Sequence, residues 1–462
     1  MKENEQPRKP AIDRRTFFAD YDMSVIRGSI PKLPVPEPLV RCSGNIAGKA
    51  HTWVMYIPPG WSRDQRVPLV VGLHGGGGNG AAFAAQTAFP MVADREGFLL
   101  LFPEATLRYE DEDGIHHEWN AFYLNDPWED ETVWLKELIE RVCGEYNIDR
   151  SRIYLFGHSN GDAMACQLAV THANLFAAYA GLNGPVHPNK ITDRSGAPIR
   201  PAVPLPYLRW HGELDPLNGG AGIPRRQLNA LINRYWMDHN RCTVQPRFRL
   251  DGKLGTAIFE SECHAEVRFA EYKGGPHALN LEVAAVVWYE FFQKYARGED
   301  GAIVRRPVSD PAPADENAVI LADKRSLVMK NHERFAVDPQ RPDVRLFSRV
   351  DSLLVPARLI ARLFGAEVRI AENGSRAEIS YRGHTSVVTE GSPVLWVDHR
   401  IVPFSVPPVR KSGDLWFSVR EVAEQALGKH VSAFDGTVYI GDRPHELGAA
   451  LAETMAASLS SS

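Results

Sequence analysis

Residues 152–161 read RIYLFGHSNG, an apolar run that ends in a serine flanked by glycines. The run has the length of a buried strand, and the small residues of 161–171 that follow are typical of a helix packed on a sheet. A tight strand-to-helix turn would place Ser159 in a strained backbone conformation, with its hydroxyl raised above the sheet. Ser159 is therefore the candidate nucleophile, and an ordinary glycine-rich turn is the alternative.

The surrounding chain alternates short apolar runs with helical patterns, which predicts βαβ units and a mostly parallel sheet. The fold class predicted for this part is therefore α/β. The predicted strands are 67–73, 97–103, 152–156, 205–210 and 266–272, and the predicted helices are 131–146, 161–171 and 281–295.

A glycine loop, HGGGG at 74–78, directly follows the first predicted strand. Acyl transfer builds negative charge on a carbonyl oxygen, and rigid backbone N–H groups stabilise that charge. Asn160, the residue after the nucleophile, and Gly76 are the candidate donors. Gly75 or Gly77 fits the sequence as well as Gly76, and a flexible glycine turn is the alternative.

A serine hydroxyl needs a base to remove its proton, and the base needs an orienting partner. Asp215 lies in a loop just past a predicted strand, and His277 ends the later loop GGPH. Their order along the chain, serine, acid and histidine, is that of hydrolases built on such sheets. We therefore expect Asp215 to orient His277 and His277 to deprotonate Ser159, with Glu213 as the rival acid.

The candidate substrate-binding residues are Trp119 and His158. At such a turn His158 points away from the nucleophile, so it is expected either to pack in the core or to form part of the pocket wall. Four aromatic side chains can line an acyl pocket, although a buried core position is favoured for at least half of them: Trp119, Phe122, Trp128 and Trp210. Adjacent His116 and His117 face opposite ways, so a solvated loop explains them better than a metal site does. No metal site and no cofactor are predicted.

Composition excludes several classes of function. The 462 residues carry a formal net charge of −5, which gives no electrostatic reason to expect nucleic acid as a partner. No apolar run approaches the roughly 18 residues of a membrane-spanning helix. No apolar h-region follows the basic N-terminus, so we expect no secretory signal within this chain. Five cysteines are too few and too scattered for a disulfide scaffold.

Composition also divides the chain into segments. A weak internal repeat relates Arg358 and Gly365 to Arg420 and Gly428, with offsets of 62 and 63 residues (420 − 358 and 428 − 365). It predicts a smaller α+β domain of two similar units. The predicted segments are a lead-in at 1–36, the catalytic domain at 37–297, a linker at 298–318, the repeat domain at 319–445 and a flexible tail at 446–462.

On these residues, 50–297 resembles the polyhydroxybutyrate depolymerase and feruloyl/acetylxylan esterase-like branch of the α/β-hydrolases. The resemblance implies hydrolysis of a small or polymeric ester without metal or cofactor, and a disulfide between Cys242 and Cys263. The matching features are Tyr56-Ile57-Pro58, Leu73-His74-Gly75, Trp119, Asp130, Asp149 to Tyr154, Gly157 to Gly161, Phe176-Ala177-Ala178, His211-Gly212 with Asp215-Pro216, and Gly275-Pro276-His277.

Two departures from the family pattern concern the site. Asp162 stands where relatives usually have glycine, and a carboxylate there would disfavour anionic substrates. Ala278-Leu279 replaces the usual Trp-Pro, so the substrate does not carry over from the family. Alternatives to the esterase are a serine peptidase of the same fold and a decayed hydrolase that serves as a binding protein.

The repeat domain resembles the copper amine oxidase N-terminal-like stalk domain. The likeness rests on Leu354-Val355-Pro356 with Arg358 and Gly365, and on Val406-Pro407-Pro408 leading to Arg420 and Gly428. No histidine cluster of copper-ligand type is present in this sequence. The resemblance implies an extracellular or cell-surface protein that contacts a cell surface or polymer through this domain.

Overall fold

The structure is a computed structural model that describes residues 34–111, 114–120, 131–184, 186–193, 195–217, 219–220, 223–308 and 317–460. The chain forms two compact units. One comprises Met1–Cys242, Glu260–Val267 and Gly275–Pro311, and the other comprises Thr243–Phe259, Arg268–Gly274 and Ala312–Ser462. Most of the predicted lead-in, as well as Phe122, Trp128 and Asp130, lies outside the described residues.

A mixed sheet forms the centre of the first unit. Its strands there are β1 (Leu39–Ile46), β2 (Lys49–Tyr56), β3 (Val67–Leu73), β4 (Leu99–Pro103), β7 (Ile148–His158), β8 (Ala178–Leu182) and β9 (Tyr207–Gly212). They follow the order β1-β2-β4-β3-β7-β8-β9. β3, β4, β7, β8 and β9 are parallel, and β1 and β2 are antiparallel. This order and direction confirm the predicted α/β-hydrolase class.

Six α-helices among the described residues cover this sheet. They are α1 (Gly80–Gln86), α2 (Phe89–Glu96), α3 (Glu131–Glu145), α4 (Asn160–Thr171), α5 (Arg225–His239) and α6 (Glu282–Ala285). Three of them, α3, α4 and α6, lie within or overlap the predicted helices. The predicted closing helix continues from α6 as a π-helical turn, Val286–Phe291, and a 3-10 turn, Phe292–Lys294. No helix among the described residues is long and apolar enough to cross a membrane.

Three short hairpins complete the first unit. They are β5 (Leu107–Asp111) with β6 (Gly114–Glu118), β10 (Gly219–Gly220) with β11 (Ile223–Pro224), and β15 (Tyr295–Arg297) with β16 (Ile303–Arg305). The last hairpin lies partly within the predicted linker, so the linker prediction is wrong at 303–305. Residues 309–316 of that linker lie outside the described part of the chain.

The second unit contains three antiparallel sheets. Their strand orders are β19-β18-β17-β30-β29, β20-β21-β28-β27 and β22-β23-β24-β25-β26. The strands are β17 (Val319–Ala322), β18 (Leu327–Lys330), β19 (Glu333–Ala336), β20 (Phe347–Arg349), β21 (Ser352–Pro356), β22 (Glu367–Ile370), β23 (Arg376–Tyr381), β24 (His384–Thr389), β25 (Val394–Val397), β26 (Arg400–Pro403), β27 (Val409–Lys411), β28 (Asp414–Ser418), β29 (His430–Phe434) and β30 (Thr437–Gly441).

This unit also includes a segment that the sequence assigned to the catalytic domain. The strands β12 (Arg247–Asp251) and β13 (Leu254–Phe259) pair with each other, and all but the first residue of β14 (Val267–Tyr272) groups with them. The predicted domain boundary at 297 is therefore wrong for these residues, because the compact units are not continuous in sequence.

The internal repeat is confirmed by the central sheet of this unit. Adding 62 to the bounds of β20 and β21 gives those of β27 and β28. β21 pairs with β28 so that Val355 lies opposite Phe417, its own counterpart in the repeat, since 417 − 355 = 62. On either side, Leu354 pairs with Ser418, the counterpart of Pro356, and Pro356 pairs with Trp416, the counterpart of Leu354. The two copies are therefore related by a pseudo-two-fold axis at this strand pair.

The one-residue difference between the two copies has a structural cause. In the first copy α7 (Ala357–Phe364) is regular and ends at Gly365 with φ 70°. In the second copy α8 (Val419–Glu421) continues as a π-helical turn, Val422–Ala426, before Gly428. A π turn accommodates one extra residue within a helix, which explains why the repeat offset rises from 62 to 63.

The two copies also share their outer sheets. β17 belongs to the first copy and pairs with β30 of the second, with Val319 opposite Ile440. β23 of the first copy pairs with β24 of the second. Each five-stranded sheet therefore needs strands from both copies.

The predicted flexible tail is wrong over most of its length. Residues Ala449–Ser458 form a helix, α9, whose buried side chains are Leu451, Ala452 and Met455. The buried carboxylate of Glu271 accepts hydrogen bonds from the Ala450 and Leu451 amides at 3.0 and 2.8 Å. These amides have no partner inside the helix, so Glu271 caps its N-terminus.

Candidate active site

Ser159 lies between β7 and α4 with φ 56° and ψ −122°. Positive φ is costly for a residue with a side chain, so the surrounding structure must hold it there. A Cβ at Gly161 would collide with the backbone oxygen of Leu73. Only glycine fits at that position, which explains why the turn needs small residues beside the serine.

The glycine loop lies directly against this turn. A Cβ built on Gly75 would lie 3.4 Å from Ser159 Cβ, and one built on Gly76 would lie 3.5 Å from Asn160 Cβ. The Gly77 amide donates to the His117 carbonyl oxygen at 2.9 Å, so it is already used. Among the glycines that the sequence left open, Gly76 thus fits a backbone donor better than Gly77 does.

Trp119 supports this loop from the core. Its indole Nε1 donates to the His74 carbonyl oxygen at 2.8 Å, and its backbone amide donates to Asn160 Oδ1 at 2.8 Å. The side chain is fully buried. The assignment of Trp119 to substrate binding is therefore corrected, because its indole has no surface to offer a substrate.

Asp215 and His277 are in direct contact. His277 Nδ1 lies 2.9 Å from Asp215 Oδ2, and the Leu217 amide donates to Asp215 Oδ1 at 2.9 Å. Burial would raise the pKa of Asp215, but the hydrogen bond from His277 and the charge of Arg225 outweigh it and lower the pKa to about 2. The acid that reaches His277 is thus an ionised Asp215, not Glu213.

The main chain of His277 is held by two side chains. His158 Nε2 donates to the His277 carbonyl oxygen at 2.9 Å, and Asn183 Nδ2 donates to the same oxygen at 3.0 Å. Asn183 Oδ1 also accepts from the Gly212 amide at 2.8 Å, which ties the acid loop to the histidine loop. Nothing in the sequence marks Asn183 as functional beyond its place at the end of an apolar run.

His158 is therefore an anchor, and its assignment to substrate binding is corrected. Its side chain is buried, and its ring lies 4.8 Å from that of His277 between centroids. Burial and the neighbouring His277 lower the pKa of His158 to about 3, so its ring is neutral. A neutral ring with its proton on Nε2 can donate to the His277 carbonyl as observed.

Ser159 directly follows His158, whose ring contacts the main chain of His277. The Ser159 hydroxyl makes no hydrogen bond to any of the described residues. Catalytic hydrogen bonds often tighten only when substrate is bound. The arrangement therefore brings the serine turn and the histidine loop together without a formed Ser159–His277 hydrogen bond.

Asp162 points into the core below the serine turn. Its carboxylate pairs with Arg209, whose Nη1 lies 2.5 Å from Oδ2, and accepts a hydrogen bond from the Tyr179 hydroxyl. Asp162 and Arg209 are both buried. Burial raises the pKa of Asp162, and the Arg209 charge opposes this. The expected effect of Asp162 on anionic substrates is thus wrong, because its charge is paired and turned away.

The disulfide implied by the family resemblance is not formed. Cys242 and Cys263 are free thiols. Cys263 Sγ donates to the Asn240 carbonyl oxygen at 3.2 Å, and Cys242 Sγ donates to that of Ala265 at 3.8 Å.

Comparison with known families supports both resemblances. Residues 51–193 match the family described as Esterase PHB depolymerase. Residues 337–440 match the Copper amine oxidase N-terminal domain. The first match includes Ser159 and the glycine loop, and the second includes both copies of the helix that defines the repeat.

The chain is also similar to named esterases. It is 26% identical to the putative esterase NocK of Nocardia uniformis subsp. tsuyamanensis, over 38% of this chain and 49% of that protein. It is 28% identical to feruloyl esterase B of Neurospora crassa, over 29% of this chain and 44% of that protein. For poly(3-hydroxyalkanoate) depolymerase C of Paucimonas lemoignei the identity is 26%, over 36% and 38%. The matches thus span less than half of each relative.

Solved structures of esterases resemble it as well. Acetyl xylan esterase from Aspergillus awamori is similar over 55% of this chain and 98% of its own, with 14% identity and a TM-score of 0.42.

Proposed function

We propose that this protein is a serine esterase that hydrolyses carboxylic esters through an acyl-enzyme intermediate. The observation that carries the proposal is the 2.9 Å contact between His277 Nδ1 and Asp215 Oδ2. The main chain of His277 is in turn held by His158, the residue directly before Ser159, and Ser159 has a positive φ. The named esterase relatives support the same class of reaction.

In the proposed reaction Ser159 attacks the ester carbonyl carbon while its proton passes to His277 Nε2. Asp215 holds Nδ1–H of the ring and stabilises the imidazolium that forms. Collapse of the tetrahedral intermediate releases the alcohol, which takes the proton from His277. Water then attacks the acyl-enzyme by the same route and releases the acid.

The negative charge of each tetrahedral intermediate requires backbone donors. We assign this role to the amides of Gly76 and Asn160, because the two residues lie side by side next to Ser159. Loss of one such donor typically costs on the order of a hundredfold to a thousandfold in kcat.

The proposed substrates are uncharged esters with short-chain or aromatic acyl groups, small or polymeric. The relatives named as feruloyl esterase and poly(3-hydroxyalkanoate) depolymerase support this range. A screen of acetyl, butyryl and feruloyl esters beside a polyester film would identify the preferred acyl group. Cleavage of a peptide amide in preference to a p-nitrophenyl ester would indicate a serine peptidase instead.

The test of the nucleophile is labelling by a fluorophosphonate together with turnover of p-nitrophenyl acetate. We expect the wild type to take the label and to turn over the ester. Ser195→Ala should do the same, because Ser195 lies on an exposed turn outside the proposed site. Ser159→Ala should neither take the label nor turn over the ester. A wild-type protein that is folded yet takes no label would contradict the proposal and favour the decayed hydrolase.

A further inference from the structure

A buried arginine contacts the proposed triad acid. Arg225 is the first residue of α5 and is 4% exposed. Its Nη1 pairs with Asp215 Oδ2, the same oxygen that accepts the hydrogen bond from His277 Nδ1. Two donors therefore converge on one carboxylate oxygen, while the Leu217 amide occupies the other.

Orientation of a histidine requires only a carboxylate, so the arginine needs its own explanation. Burying a charged pair loses much of its Coulombic gain to desolvation, and apolar residues often stabilise a core as well. Stability alone therefore gives weak reason for an arginine here. A fixed cation beside the carboxylate instead changes the site in two ways: it restricts rotation of the carboxylate and partly neutralises its charge.

Two buried histidines near this pair are neutral. His211, from β9, is buried, and burial together with the Arg225 charge lowers its pKa to about 3. His158, from β7, is neutral for the reason given above. Within the described part of the chain, the ion pairs at this point are those that join Asp215 to His277 and to Arg225.

We propose that Arg225 is a positioning residue of the esterase site, which fixes the Asp215 carboxylate against His277 and partly neutralises the charge of that carboxylate. The inference rests on the proposed function. Arg225 touches neither the serine nor the reacting carbonyl in this scheme, and it acts through Asp215.

The test compares Arg225→Met and Arg225→Lys with Arg226→Met, a change at the exposed neighbouring arginine. The measurements are the pH profiles of kcat/KM and kcat with p-nitrophenyl acetate, on protein quantified by fluorophosphonate labelling. We expect Arg225→Met to lower kcat about tenfold or more with little change in KM. The acidic limb of the kcat/KM profile of Arg225→Met should move to higher pH by about 1 pH unit, because the positive charge of the guanidinium has been removed.

Arg225→Lys should restore the position of the acidic limb, because the charge is kept. It should restore kcat only in part, because an ammonium lacks the planar fork that fixes a carboxylate. Arg226→Met should match the wild type in both profiles. If Arg225→Met loses thermal stability yet keeps the wild-type pH profile and kcat per labelled site, the role is merely structural and the inference is overturned.

A double-variant cycle tests whether Arg225 acts through Asp215. In an Asp215→Asn background we expect Arg225→Met to change kcat less than threefold. A full additive loss would overturn the inference. If the wild type and Ser159→Ala turn over substrate equally, the proposed function is contradicted. If Ser159→Ala is inactive but Arg225→Met behaves like the wild type, only the inference about Arg225 is contradicted.

Discussion

His158 Nε2 donates a hydrogen bond to the carbonyl oxygen of His277 across 2.9 Å, so the residue before the proposed nucleophile holds the main chain of the proposed base. The two loops are 119 residues apart in sequence. This bond gives a direct route by which strand β7 fixes the distance between serine and histidine. Asn183 donates to the same oxygen and secures it from β8.

Replacement of His158 by Phe should lower kcat/KM by about tenfold to a hundredfold, because loss of the anchor lets the histidine loop shift by a fraction of an ångström. His158→Gln, which keeps a donor, should retain more activity. Turnover of p-nitrophenyl acetate by both variants, normalised to labelled sites, checks this. Equal activity of Phe and wild type would show that Asn183 alone suffices.

Replacement of Arg209 by Met should destabilise the protein by about 3–5 kcal/mol, because Asp162 is left as an unpaired buried charge. The double variant Asp162→Asn with Arg209→Met removes both charges and should recover much of that loss. Urea unfolding of the single and double variants measures the difference. If the double variant is as unstable as the single one, the ion pair is not the cause.

Replacement of Lys190 by Met should stabilise the protein at neutral pH. The side chain is fully buried, its amine has no hydrogen-bond partner in the described part of the chain, and burial lowers its pKa to about 7. Since the unfolded chain binds this proton up to the ordinary lysine pKa of 10.5, the penalty is full below pH 7 and disappears above 10.5.

The expected gain is therefore a few kcal/mol at pH 7 and close to zero near pH 10.5. Thermal melts of wild type and Lys190→Met across this range would show two curves that converge as pH rises. A constant difference between them would mean that packing, and not the buried amine, accounts for the change.

Replacement of Glu271 by Ala should release the start of α9. Two amide donors lose their acceptor, which costs about 1–2 kcal/mol. Glu271→Gln keeps an acceptor and should lose less. Hydrogen exchange at Ala450 and Leu451 is the direct measurement, and we expect it to rise in Glu271→Ala while exchange in β21 and β28 stays unchanged. Unchanged exchange at both amides would show that helix packing alone holds α9.

Deletion of Gln425 should be tolerated, with a cost below about 1 kcal/mol, because it converts the π turn of the second repeat into the regular helix of the first. Deletion of Ala361 from α7 is the matched control. This deletion shortens a regular helix that contains no π turn, so it should lower the free energy of unfolding by more than about 3 kcal/mol. Equal losses in thermal stability would contradict the view that the extra residue is an insertion.

The sequence predicted those parts of the fold that repeat along the chain. β3 is buried at all seven positions and appears as an unbroken apolar run, and α4 begins one residue before its predicted start. Ser159, Asp215 and His277 were predicted because their order and the glycines around them are local features. Of these three residues, Asp215 and His277 lie in direct contact in the structure.

The side chains that support the site were not predictable in this way. Asn183, Arg209 and Arg225 are single polar residues whose partners are distant in sequence, and no periodicity marks them. The tail shows the same limit: its Ala/Ser-rich composition suggests fraying, but Glu271, 179 residues before Ala450, caps it. Composition describes a segment alone, whereas these roles depend on pairs.

The pairing of β17 with β30 has a consequence for how the repeat domain can be used. Val319 and Ile440 are partners in adjacent strands, so the two ends of the repeat segment 319–440 lie about 5 Å apart. A segment whose ends are close together can be inserted into a surface loop of a host protein without moving the two ends of that loop apart. The same closeness permits a circularly permuted order of the repeat segment, in which 319 and 440 are joined and the chain is opened at the turn between β23 and β24.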